Sequence, residues 1–401
     1  MFCVCPTLRL GSCVWMLAVL SASGCGNDVG SGTSGAAREL LVRYPTDAAG
    51  APATESDRWR VRFSQPVGIV SAMARCGDTA FLVDMRESSV SRVNLARGEV
   101  VGQIGTRKDL NEPGEVAADC AADRLYVVNS RAVLAYRMSD GTLLRTYPLP
   151  GEALHGERPA VARIKLPIVT RDHRYLYASA FWTAGSGFSS TYPQETLFKG
   201  ARLGLELSLE DGRMAAMADP IALGCRGFAE GCWLSSLGVT ELGKEGPWLL
   251  GQGLSHRIAV YEPGTQRRRL VDITSPRFKH DGRPLTREEG SQDREAARAW
   301  SATNSAVDAV LPFGNTIATI HFHGVPPKAG DGGLVQYVVY MNLHATDGTP
   351  LVSDIALPGR PDGRDADSLY VIDYGSGGRR DAVSAVDIVR IVPTPGGFRA
   401  R

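Results

Sequence analysis

CGDTAFLVDMRESSVSRVNLARGEVVGQIG, residues 76–105, recurs one unit later as CAADRLYVVNSRAVLAYRMSDGTLLRTYPL, residues 120–149. Each copy starts at a cysteine, and the two cysteines lie 44 positions apart. A short turn follows, then an apolar run closed by a carboxylate or amide, AFLVD and LYVVN. A second run comes next, SRVNL or VLAYR, then a Gly turn and a last extended stretch. The lead-ins match too: QPVGIV at 65–70 and EPGEVAAD at 112–119. β-branched and aromatic residues bounded by Gly, Asp and Asn turns read as short strands in antiparallel succession.

Working outward, the second-strand signal returns along the chain. It reads AFLVD (80–84), LYVVN (125–129), YLYAS (175–179), WLLGQ (248–252), TIATIHFH (316–323) and LYVID (369–373). A third strand follows each: SRVNL, VLAYR, LGLEL, RIAVY, VVYMNL and AVDIVRI. Four short strands at a period of about 40–45 residues are the signature of a propeller blade. The expected fold is all-β, a six-bladed β-propeller of four-stranded blades; the irregular stretch 150–235 leaves room for a seventh. RWRVRF (58–63) is the candidate strand that closes the ring against the last blade. Helical periodicity is nearly absent, which weighs against α/β alternatives.

The first two units resemble NHL-type six-bladed propellers over residues 65–149. The residues that carry this are Pro66-Val67-Gly68-Ile69, Gly77-Asp78, Phe81-Leu82-Val83-Asp84, Val93 and Ile104-Gly105, repeated as Pro113, Leu125-Tyr126-Val127 and Gly141.

The N-terminal segment has another character. Arg9 is its only charged side chain, an apolar run spans Cys13 to Leu20, and Ser21-Ala22-Ser23-Gly24 precede Cys25. This is the layout of a secretory signal, and the run is far short of the roughly 20 residues a membrane span needs. Small residues before a cysteine resemble the lipobox of bacterial lipoproteins, with Ala22 where that family usually has Leu. The resemblance implies acylation at Cys25 and a membrane partner through that lipid. More than one acyl chain would anchor stably. The protein would then be exported and lipid-anchored in the cell envelope; Gly26, in place of the retention-signal Asp, points to the outer membrane by family analogy. Residues 1–24 are thus expected to be a signal peptide and 25–57 a Gly/Ser/Ala/Pro-rich flexible tether. The propeller occupies 58–395, with an insertion at 274–300, and 396–401 form a tail.

Lys and Arg number 44 against 43 Asp and Glu; without Arg9 the two balance. No basic footprint exists for phosphate neutralisation, so nucleic acid is not an expected partner. Beyond the signal and Cys25, four cysteines remain: Cys76, Cys120, Cys225 and Cys232. An even number in an exported chain favours disulfides, with three pairings open. The blade map puts Cys76 and Cys120 at matching turns of adjacent blades, where they could bridge. Cys225 and Cys232 flank RGFAEG in one blade-to-blade loop.

Turns between first and second strands, and between third and fourth, are terse. The long connections 150–163, 182–200, 219–235, 274–300, 323–333 and 373–381 belong to the opposite face. Loops longer than the fold requires tend to carry function, so that face is the candidate binding surface. Arg287 to Trp300 could form a short helix there. Trp182, Tyr192, Trp233, Trp300 and Tyr374 are its candidate recognition aromatics. Polar residues ending the second strands, Asp84, Asn129, Gln252, His321, His323 and Asp373, form a candidate ligand site at the mouth of the central channel. His321 and His323, two apart on a strand, project to one side and could share a metal. No cofactor is expected; Ca²⁺ or Zn²⁺ is the alternative at the channel mouth. No nucleophile elbow, HExxH or phosphate-binding loop occurs. The favoured reading is a non-enzymatic module for a protein, peptide or glycan. The alternative is a metal-dependent hydrolase or lyase, similar in layout to gluconolactonase-type propellers.

Overall fold

The computed structural model describes residues 57–150, 160–183, 201–218, 236–262, 268–273, 275–280, 294–313, 316–325, 336–374 and 383–393. The signal, the tether with Cys25, the loop with Cys225, Cys232 and Trp233, and Tyr192 lie outside the described residues. Among the described residues no helix is long and apolar enough to cross a membrane.

Strand β1 (Asp57–Val67) comes first, followed by β2 (Val70–Cys76), β3 (Thr79–Asp84), β4 (Ser89–Asn94) and β5 (Glu99–Ile104). After a single helical turn, α1 (Arg107–Leu110), come β6 (Glu115–Asp119), β7 (Arg124–Val128), β8 (Ala132–Arg137) and β9 (Leu143–Pro148). The third run is β10 (Ala160–Val169), β11 (Tyr175–Thr183), β12 (Arg202–Ser208) and β13 (Met214–Ala218). The fourth is β14 (Ser236–Val239), β15 (Trp248–Gly251), β16 (Arg257–Tyr261) and β17 (Arg268–Asp272). Helix α2 (Arg294–Thr303) precedes β18 (Ser305–Phe313), β19 (Thr316–Val325), β20 (Gln336–Ala345) and β21 (Pro350–Leu357). The chain ends in β22 (Pro361–Arg364), β23 (Leu369–Asp373) and β24 (Val383–Ile391).

These strands form four four-stranded antiparallel meanders, β6–β9, β10–β13, β14–β17 and β18–β21, and one eight-stranded sheet. The larger sheet runs β2-β3-β4-β5-β1-β24-β23-β22. Its midline is the ring closure: β1 pairs antiparallel with β24 in continuous register from Asp57↔Arg390 to Arg62↔Ala385, and pairs with β5 in register at Arg62↔Glu99. The architecture is an all-β propeller. Every second and third strand expected from the sequence lies in its expected place. The expected helix is present over Arg294–Thr303; residues 281–293 lie outside the described part.

Successive side chains of a strand point to opposite faces, so the apolar runs of the inner strands bury against the sheets on both sides. Ala72, Phe81 and Val83 of the first run pack on Val116, Leu125 and Val127 of the second. Tyr126, Val133 and Tyr147 pack in turn on Leu176, Leu205 and Leu207 of the third. First strands face the axis, where backbones close in: a Cβ on Gly363 would lie 2.1 Å from Met73 O, and one on Gly238 2.0 Å from Val310 O. On the short-turn face, Cys76 and Cys120 are disulfide-bonded between adjacent sheets, with Cα atoms 5.5 Å apart.

Two predictions test this frame by urea unfolding. Gly363→Ala should destabilise by about 3 kcal/mol or more, since backbone rather than a yielding side chain blocks the methyl. Replacing both Cys76 and Cys120 by Ser should cost about 2–4 kcal/mol, the disulfide contribution for a loop of that size.

Candidate functional site

The second-strand residues expected at the channel mouth separate into four environments. Asp84 and Asn129 organise turns. The Asp84 carboxylate accepts N–H bonds from Gly68 at 2.8 Å, Arg86 at 2.9 Å and Glu87 at 3.0 Å. Asn129 accepts from Arg131 and Ala132 at 2.8 and 2.7 Å, and its amide donates to Leu110 O at 2.7 Å. Both are buried, and Asp and Asn suit such local backbone bonding. Asp373 lies at the ring closure instead, ion-paired at 2.9 Å to Arg58 of β1. Gln252 is buried beside β15.

His321 and His323 do project to one side of β19, but into an aromatic stack. His321 is fully buried, and its Nδ1 takes the Asn342 amide N–H at 3.2 Å. Its ring lies 5.4 Å from His256, 5.3 Å from Phe278 and 5.6 Å from Tyr340, and His323 lies 5.7 Å from Tyr340. His256 stacks on Phe278 at 4.2 Å. Burial drives the imidazoles toward neutrality: His256 falls to about 3, His323 to about 4, and His321 well below its ordinary value. Among the described residues no three His, Cys, Asp or Glu side chains are grouped to hold a metal ion.

Three of the candidate aromatics lie within the described residues, and all three pack inward. Trp182 is buried, donating its indole N–H to Gly204 O at 2.6 Å. Trp300, carried on α2, is buried in the core. The Tyr374 hydroxyl donates to Val70 O.

Reading the second strands missed the densest polar constellation, which sits on the first strands around the axis. Asp308 of β18 is ion-paired at 2.9 Å to Lys165 of β10 and doubly hydrogen-bonded by Arg360, just before β22. Glu115 opens β6 and accepts the Leu166 N–H at 3.0 Å. Asp362 of β22 is buried and accepts the Ile372 N–H at 2.8 Å.

Bulges present this set. An extra residue in a strand re-aims a side chain and is favoured next to functional sites. Here the extra residues are Ser71 in β2, Asp308 in β18 and Asp362 in β22. β10 breaks register on both sides of Lys165, and Leu166 holds φ at +48°. Backbone strain of this kind persists only where the surroundings hold it in place.

Burial and the nearby Asp362 and Asp308 charges push the Glu115 carboxyl up to about 8, against the pull of the Leu166 N–H and Lys165. Glu115 is therefore largely protonated at neutral pH while remaining partly accessible. The paired Asp308 stays ionised, held well below the usual carboxylate range by Arg360 and Lys165 against the opposing effect of its burial. One protonated and one ionised carboxyl beside an ammonium can donate, accept and transfer a proton.

Solved structures similar to this chain include the WD40 repeats of RRP9, at 12% identity over 87% of this chain and 99% of that one, TM-score 0.43. The Myceliophteria thermophila Cps50 (Swd1) β-propeller domain is 10% identical, covering 86% and 100%, TM-score 0.41. Kuenenia stuttgartiensis hydrazine synthase is 14% identical, covering 77% and 74%, TM-score 0.41. No activity passes from any of them to this chain. No protein-family model matches the sequence, and no curated protein matches it either.

Stability should respond to pH at both ends. Glu115 is more basic folded than its ordinary 4.5, so its stabilising effect is complete below about 4.5 and is lost as pH rises through about 8. Glu115→Gln should therefore gain about 1 kcal/mol on wild type at pH 8.5 relative to pH 5 in denaturant titrations, allowing for its partial exposure. His256 and His323 are depressed, so their effect is present above about 6.5 and is lost as pH falls toward 4 and 3. His256→Phe should flatten the acid limb.

Proposed function

We propose that the chain is an exported, lipid-anchored, NHL-like six-bladed propeller that binds a partner through the face bearing its long connections. The six-blade reading divides the eight-stranded sheet at the β1–β5 contact into two four-stranded blades, one completed by β1. Export and anchoring rest on the apolar N-terminal run and on Ser21-Ala22-Ser23-Gly24-Cys25. The Cys76–Cys120 disulfide fits an oxidising compartment. Under this reading the flexible tether holds the propeller away from the membrane and leaves the face free to meet a protein, peptide or glycan.

The observation that carries the binding role is the asymmetry of connections. On one face the strands join through segments no longer than 240–247. On the other, the joins include 184–201, 219–235, 273–304 and 326–335. Neutral lengthening would spread over both faces, since surface loops accept length cheaply at either.

A second reading, a hydrolase or lyase acting at the axis with Ca²⁺ or Zn²⁺, draws support from the protonated Glu115 beside Lys165. Calcium or zinc retained stoichiometrically by the purified protein would move the assignment there.

The binding role is tested by replacing residues 281–293 with a short Gly/Ser linker, keeping Phe278 and Trp300. Wild type and variant are then compared in pull-downs from envelope extracts. A partner captured by wild type and lost by the variant is expected; identical captures overturn the assignment of the face.

A further inference from the structure

Two arginines four residues apart on β22 and its approach differ in one respect. Arg360 is fully answered by the Asp308 carboxylate. Arg364, the last residue of β22, is just as enclosed, at 8% exposure, and has no ion-pair partner among the described residues. Its Nη2 donates to Val239 O, the last residue of β14, at 2.9 Å. Its Nε–H is buried with no acceptor among the described residues.

The nearest carboxylates are committed elsewhere. Asp365 accepts the Tyr370 hydroxyl at 2.5 Å and the Asp367 N–H at 3.1 Å. Glu241 is paired with Arg171. Burial lowers the Arg364 guanidinium to about 10, with Asp365 and Glu241 opposing that shift from a distance, so it remains a cation at neutral pH. A buried charge answered only by one neutral carbonyl is costly, and an unsatisfied buried donor calls for a specific explanation.

We propose that Arg364 is the receptor of a small-oxyanion site at the short-turn end of the propeller axis. The guanidinium is a planar fork that matches carboxylate and phosphate oxygens, and an anion there would supply both the missing charge and the missing acceptor. The site admits only a compact ligand. Gly363 and Gly238, immediately before Arg364 and Val239, already bring first-strand backbones as close as a missing Cβ allows. Inorganic phosphate, sulfate and the carboxylate end of a small acid share the required chemistry. This inference is independent of the proposed binding face and of the Glu115 cluster.

Thermal unfolding and calorimetric titration with sodium phosphate, sulfate and acetate, each against chloride at equal ionic strength, provide the test. Wild type should show a saturable rise in Tm with at least one oxyanion, and the responding arm names its source. Arg364→Met should lose that response. In oxyanion-free buffer it should be as stable as wild type or more so, because an unanswered charge has been removed. Arg364→Gln, which keeps a donor for Val239 O, serves if the Met variant does not fold, and should also lose the response. Wild type with no saturable response, or variants that respond as wild type does, would overturn the site. A loss of stability in Arg364→Met equal in every buffer would overturn it too, reducing Arg364 to a tether for β14.

Discussion

β1 and β24 lie at opposite ends of the described chain, and their antiparallel pairing makes the ring. Asp57 and Arg390, partners in register, are separated by 333 residues. Without β1, the last sheet would end in the bare hydrogen-bonding edge of β24 and the first would lose its neighbour at Arg62. Ion pairs decorate this seam: Arg58 reaches Asp387 and Asp373, and Arg60 reaches Asp387. Arg58 and Arg60 are well exposed, so these pairs contribute little individually. The seam is held mainly by its backbone ladder and by apolar residues such as Val61, Val386 and Ile388 beneath it. Such a contact carries a large loop-closure cost, because the whole described chain lies between its two strands.

Closing the ring sets the geometry of the axis. First strands of neighbouring sheets are pressed together until glycine is required at 238 and 363. Polar side chains caught in that space have little water, so they must find one another. Asp308 meets this by joining Lys165 and Arg360 from two other sheets. Glu115 meets it by keeping a proton. The bulges at Ser71, Asp308 and Asp362, and the broken register around Lys165, allow these residues to face the axis without turning the rest of each strand inside out.

This explains what was readable in the chain beforehand. The strands were, because AFLVD, LYVVN and LYVID are short continuous apolar runs, rich in β-branched and aromatic residues and bounded by turn residues, as strands buried on both faces are. The Cys76–Cys120 bridge was as well, since equal places in successive repeats become neighbours in space. The polar residues ending the second strands could not be told apart in the sequence. An Asp or Asn after an apolar run has the same appearance whether it binds a ligand or caps a turn, and Asp84 and Asn129 cap turns. The axial set was hidden for the opposite reason. A bulge leaves no mark in the alternation that would distinguish Asp308 from an outward-facing polar residue, and Lys165 and Arg360 meet it only after the ring has closed.

β22 places both solutions to buried charge on one short segment. At Arg360 the solution is internal: Asp308 is held by two cations and can be exchanged for nothing else without stranding them. At Arg364 it is incomplete within the described residues, and the strain is not relieved by Asp365 or Glu241, which their own partners retain. A propeller could remove that cost with an apolar residue, as it does at the inward positions of most other strands. Retaining a guanidinium where the backbone is tightest makes sense when its unsatisfied edge is used, and the closeness of Gly363 and Gly238 then limits what can use it.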